Sequence, residues 1–95
     1  MTAAPLPVVA LISGNGSNLQ ALLDASRAGD LPVTVQAVIS NRADAYGLER
    51  ARQHGVATEI LDHRTFDSRA AYDTALTERI SAWDPGLVVL AGAPA

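Results

Sequence analysis

The chain contains no cysteine, and all seven of its cationic side chains are arginine. Without cysteine there is no disulfide staple, no thiolate nucleophile and no thiolate metal ligand, a composition in keeping with a reducing cytoplasm. Without lysine the chain has neither a P-loop lysine nor a Schiff-base nucleophile. Positive charge is also scarce in total. Ten acidic residues against seven arginines leave a net charge of −3, which provides no basic footprint for nucleic acid or for an anionic membrane surface. The opening MTAAPLPVVALI has no cationic leader segment, and its apolar run is too short to span a bilayer. Only His54 and His63 carry imidazoles, and neither has a second ligand at metal spacing, so no metal is expected.

What is present reads as one small globular domain over residues 1–95, at 48% hydrophobic and 18% charged. Two patterns alternate along it. Short β-branched runs at Val8–Ser13, Val33–Ser40, Ala57–Leu61 and Leu87–Ala91 are apolar nearly throughout, as strands covered on both faces are. Helical patterns fill the intervals at Ser17–Ala28, Ala45–His54 and Ser68–Trp83. This alternation implies βαβ units and a parallel sheet with right-handed crossovers. Gly29 and Gly55 are placed to stop the first two helices, and Pro85 the third. Asp67 is the expected N-cap of the third helix and Asp44 of the second. Tyr72, Leu76, Ile80 and Trp83 share one helical face and are expected in the core. Asp24 and Arg27 are expected to pair across i, i+3. His54 is explained by the dipole at its helix end and His63 by a solvated loop, so neither is assigned chemistry.

The segment with chemical content is Gly14–Asn15–Gly16–Ser17–Asn18, between the first strand and the first helix. Glycines here let the backbone turn sharply and approach a ligand without Cβ clashes. The helix start beyond them offers unpaired N–H groups and a partial positive charge, which suit a phosphate. Ser17 and Gln20 also fit a capping box, in which the Gln20 side chain reaches back to the helix start. A plain turn plus cap is the alternative. The P-loop pattern is absent, and Leu19 stands where a dinucleotide fingerprint wants its third glycine. Strand two ends in Ser40–Asn41–Arg42 in place of a ribose-binding acid, which is poor for NAD and leaves NADP as a minor alternative. Arg69 falls in the first turn of the third helix, where a cation opposes the dipole, and this favours an anionic partner, either a ligand or a neighbouring Asp.

LISGNGSNLQALLD, SNRADAYGLERARQHGV, FDSRAAYD and DPGLVVLAG, in that order, resemble phosphoribosylglycinamide formyltransferase. The likeness runs from about Val8 to Gly92. It implies an open parallel α/β sheet of about four strands and three helices, ordered 3-2-1-4, as the N-terminal part of a doubly wound, Rossmann-like formyltransferase domain. The activity implied is formyl transfer from the co-substrate 10-formyltetrahydrofolate to the amine of glycinamide ribonucleotide, in cytoplasmic purine biosynthesis. By the same resemblance Asn15, Gly16, Ser17, Asn18, Leu19 and Gln20 hold the phosphoribosyl substrate, and Arg69 contributes to the folate site. The family's catalytic residues are expected beyond residue 95, where Ala93–Pro94–Ala95 departs from the expected aromatic and cationic continuation. The isolated chain is therefore expected to be truncated after its fourth strand and inactive by itself. Two other readings stay open: a non-catalytic phosphoribosyl-binding module and an NADP-binding half-domain. An uncovered edge on the fourth strand would also favour a homodimer.

Overall fold

A computed structural model of the chain describes residues 5–13 and 17–91, with the Ser17 side chain outside the description. Four strands and three α-helices alternate: β1 (Leu6–Ile12), α1 (Ser17–Ala28), β2 (Val33–Ser40), α2 (Tyr46–Gln53), β3 (Ala57–Ile60), α3 (Arg69–Trp83) and β4 (Leu87–Leu90), with a 3-10 turn at His63–Thr65 before α3. All three pairings are parallel and the sheet order is β3-β2-β1-β4. The 3-2-1-4 topology expected from the resemblance is thus the topology found. β1 begins two residues earlier than its apolar pattern, in spite of Pro7. That proline has no N–H to give to a ladder, but its carbonyl still accepts, from Gly86 N at 2.8 Å.

The helix ends follow their local chemistry at the glycines. Gly29 and Gly55 sit at φ +82° and +72°, the left-handed region that ends a helix at least cost in glycine. Asp84, just before Pro85, is also left-handed, at φ 49° and ψ 54°. The residue before the proline is out of the right-handed helical region, as expected, but as a left-handed C-cap and not in the extended conformation that a following proline favours. Two caps differ from expectation. Ser68, not Asp67, caps α3, its hydroxyl accepting from Ala71 N at 3.1 Å. Asp44 does not cap α2: the N-cap is Ala45, with no side-chain bond. The Asp44 carboxylate is held instead by a two-point pair with Arg42, both bonds 3.1 Å.

The core lies where α1 and α2 cover the sheet. Ala10 and Ile12 of β1, Val38 of β2, Leu19 and Leu23 of α1, and Leu48 and Ala51 of α2 form one buried cluster. Leu19 and Leu48 are the largest fully buried side chains. The crossover to β4 lies on the other side of β1, so its helix, α3, packs on the opposite face, with Tyr72 and Leu76 beside Leu11 and Ile39. There the expectation of a sealed core fails. Tyr72, Leu76, Ile80 and Trp83 do share the inward face, but each is only half-buried, and no residue of α3 is fully buried. The reason is width. A helix is about 10–12 Å across with its side chains, and four strands at about 4.8 Å spacing are wider. Two helices cover one face, and one helix cannot cover the other.

Candidate functional site

Parallel strands send all their carboxyl ends to one side, and in an open sheet a crevice forms there where the strand order reverses. In this chain the reversal lies at β1, which has β2 on one flank and β4 on the other. The ends are stitched together: Asn41 N donates to Ile12 O at 3.4 Å and Ala91 N to Leu11 O at 2.9 Å. Leu11, Ile12 and Ile39 from the strand ends, Leu90 of β4, and Tyr72 and Leu76 of α3 line a cavity of about 230 Å³, with Ser13, Asn41 and Arg69 as its polar lining. The side-chain oxygen Oδ1 of Asn41 is buried and has no hydrogen-bond partner among the described residues, an acceptor without a donor beside an apolar slot.

Arg69 opens α3 with its side chain 89% exposed. Its Nε donates to Asp73 Oδ1 at 3.4 Å, so the neighbouring Asp takes up part of the cation's pairing while the guanidinium stays accessible. Tyr72 stands one helical turn further on. His63 and Phe66 meet its ring edge-on, with centroids 6.2 and 5.6 Å away, and its phenol is pushed above the usual tyrosine range, first by burial and then by the Asp73 charge. His63 is therefore exposed but not merely solvated. Next to it Asp62 caps the 3-10 turn, accepting from Arg64 N at 2.9 Å and from the Arg64 guanidinium at 3.0 and 2.8 Å. These side-chain bonds first, and the backbone N–H second, lower its carboxyl to about 2.

One alternative from the sequence, the NADP reading, is narrowed by geometry. The Ser40 hydroxyl is buried and closes its own turn, donating to Arg42 O at 2.8 Å and accepting from Arg42 N at 3.0 Å. With Ser40 closed on itself and Arg42 held by Asp44, both groups that suited a 2′-phosphate already have internal partners. The described residues contain no cluster of three or more metal-ligating side chains, and no helix among them is long and apolar enough to cross a membrane.

A family model described as formyl transferase matches residues 6–93. The chain belongs to the formyl transferase family. It is 58% identical over 85 residues to phosphoribosylglycinamide formyltransferase of Escherichia coli (strain K12), an alignment that covers 90% of this chain and 40% of that protein. It is 42% identical over 85 residues to the trifunctional purine biosynthetic protein adenosine-3 of Bos taurus, covering 90% of this chain and 8% of that one. Among solved structures, glycinamide ribonucleotide transformylase 1 from Symbiobacterium toebii superposes with TM-score 0.93 at 49% identity, over 99% of this chain and 44% of that one. Phosphoribosylglycinamide formyltransferase from Coxiella burnetii does so with TM-score 0.91 at 52% identity, over 96% and 43%. This formyl transferase chain thus spans less than half the length of these relatives.

Against that membership, the residues expected at the phosphoribosyl site divide into three groups. Asn15 and Gly16, together with the Ser17 side chain, lie outside the described residues. Asn18 is exposed at the start of α1, whereas Leu19 is fully buried and anchors the helix in the core, so only its backbone N–H is left for a ligand. The Ser17 half of the expected capping box lies outside the described residues, and the Gln20 side chain has other partners. Its amide nitrogen donates to Asp24 Oδ1 at 2.9 Å and lies 3.1 Å from His54 Nε2, while its oxygen accepts from Arg50 Nη1 at 3.1 Å. Asp24 is thereby engaged by Gln20 in place of the expected Arg27. Sequence reasoning passed over two contributors. Tyr72, assigned to the core, faces the crevice one turn from Arg69. His54, assigned no chemistry, joins the side-chain network of α1.

Proposed function

We propose that this chain is the phosphoribosyl-binding part of a glycinamide ribonucleotide formyltransferase acting in cytoplasmic purine biosynthesis. The observation that carries the reading is 58% identity to the Escherichia coli phosphoribosylglycinamide formyltransferase across nine-tenths of this chain. In this reading the substrate phosphate rests on the backbone amides at the start of α1, from Asn15 to Gln20, with Asn18 as a side-chain donor. A helix terminus of this kind contributes about 0.3–2 kcal/mol, enough to orient a phosphoribosyl group but not to hold it tightly. The co-substrate 10-formyltetrahydrofolate supplies the formyl group: a bond forms from the substrate amine to the formyl carbon as the folate N–C bond breaks, and the proton lost by the amine is balanced by one gained by the departing folate nitrogen. The apolar slot between Leu11, Ile39, Leu76 and Leu90 suits a flat ring, and the exposed Arg69 beside it suits a carboxylate. The residues described here serve substrate binding in this reading, and the family's acid–base residues are read as lying outside residues 1–95.

Isothermal titration of the 95-residue chain with glycinamide ribonucleotide tests the reading. Weak binding that is lost in Asn18→Ala supports it. No heat up to millimolar ligand, with the fold intact by circular dichroism, overturns it. Tight binding of NADPH in a parallel titration would replace it with a dinucleotide site. The exposed apolar residues Leu87, Val88 and Leu90 of β4 support self-association of the chain as well, which sedimentation velocity across a concentration series checks.

A further inference from the structure

His54 sits just past the end of α2 with its side chain only 13% exposed, and three atoms around it define its chemistry. Arginine can only donate, so the Gln20 atom 3.1 Å from Arg50 Nη1 is its oxygen. An ionised carboxylate can only accept, so the Gln20 atom 2.9 Å from Asp24 Oδ1 is its nitrogen. The two constraints are independent and agree. The amide nitrogen has a second hydrogen, and 3.1 Å away lies His54 Nε2. That imidazole nitrogen must therefore be an acceptor, which requires neutral His54 with its proton on Nδ1.

We propose that His54 is a pH-sensitive positioning residue for Gln20, and through it for the first turn of α1. Its part in ligand binding rests on the phosphoribosyl-site reading above. When His54 is neutral, Gln20 is held on three sides, by Arg50 and His54 from the α2 side and by Asp24 of its own helix. When His54 gains a proton, Nε2 becomes a donor facing a donor, and the contact to Gln20 turns repulsive. Asp24 Oδ1, 3.5 Å from Nε2, is then the natural acceptor for the new N–H. The exchange takes from Gln20 its histidine partner and makes it share Asp24 Oδ1 with a new donor, leaving Arg50 as its one unshared contact among those described here. The charged groups around His54 are Asp24 of α1, Arg27, which lines the same cavity, and Arg50, which reaches the network through Gln20. β2 presents only the uncharged Thr34 and Val35 to that cavity. Gln20 lies in the first turn of α1, directly after the residues whose amides lack intrahelical partners. Freeing its side chain loosens the turn on which a bound phosphate would rest.

The first measurement needs no ligand. Long-range ¹⁵N–¹H spectra of the 95-residue chain at pH 8 should show neutral His54 protonated at Nδ1, and the Gln20 side-chain NH₂ signals should move with the same midpoint as His54 on acidification. An Nε2-protonated tautomer, or Gln20 signals indifferent to the His54 titration, overturns the proposal. The second measurement is ribose 5-phosphate binding from pH 8 to pH 5.5 in the wild type and in His54→Gln, whose side-chain oxygen accepts from Gln20 but does not titrate. Ionisation of the ligand phosphate affects both proteins equally. The wild type should lose about three- to tenfold more affinity than the variant across this range, the worth of about one hydrogen bond. Equal losses overturn the proposed effect on binding. Ribose 5-phosphate failing to bind either protein at any pH overturns the phosphoribosyl-site reading and the binding role that rests on it, while the tautomer result decides the His54–Gln20 coupling separately.

Discussion

The indole N–H of Trp83 donates to Glu59 Oε2 at 2.6 Å, joining the last residue of α3 to β3. Arg79 Nη1, one turn earlier on the helix, reaches the other carboxylate oxygen at 3.1 Å. α3 buries none of its residues fully, so a half-buried acid at the sheet edge does part of the anchoring that core packing does for α1 and α2. Glu59→Ala leaves the indole donor without its partner and should destabilise the chain by about 1–3 kcal/mol, whereas Glu59→Gln retains an acceptor and should cost less. Urea unfolding followed by fluorescence reads this directly, since Trp83 is the only tryptophan. Equal midpoints for Glu59→Ala and wild type would show that the bond does not anchor the helix.

Asp62 sets an acid limit. Its carboxyl is lowered to about 2 by the Arg64 side chain and then by the Arg64 backbone N–H, while in the unfolded chain it returns to about 3.9. A depressed acid adds stability that is fully present above the unfolded value and is lost as pH falls from about 4 through about 2. A carboxyl ¹³C titration should place its midpoint near 2. Asp62→Asn should flatten the acid limb of the stability profile in that window without changing its slope above pH 5.

The cap of α3 separates two adjacent residues. Ser68→Ala removes the bond to Ala71 N and should cost about 1 kcal/mol. Asp67→Ala, at an exposed position next to it, should stay within about 0.5 kcal/mol of wild type. Thermal unfolding of the two variants side by side distinguishes them, and the reverse ranking would restore Asp67 as the cap.

Leu19 and Arg69 should separate stability from binding. Leu19→Ala opens a cavity in the buried cluster and should cost about 2–5 kcal/mol. Arg69→Ala removes an exposed i, i+4 pair with Asp73 and should leave stability within about 0.5 kcal/mol. The same change should weaken binding of the stable analogue 5-formyltetrahydrofolate about tenfold, as expected when a charged group loses its carboxylate partner. Unchanged affinity in a variant that folds normally would remove Arg69 from the folate site.

The sequence by itself determined the order of the elements, the parallel sheet and the points where α1 and α2 stop. Those features follow from side-chain periodicity and from glycine's access to positive φ at Gly29 and Gly55, which act between near neighbours in the chain. Family membership was legible for a related reason, since GNGSN and SNRADAYGLERA are contiguous strings. Only the tertiary structure decided which acceptor caps α3, because Asp67 and Ser68 are both competent caps and the backbone path selects one. It alone revealed that Tyr72 faces a crevice that a single helix cannot close. It alone joined Gln20 to Arg50 and His54, 30 and 34 residues away. Such pairs leave no periodic trace in a sequence, because donors and acceptors so far apart meet only after the packing of Leu19 and Leu48 has set α1 against α2.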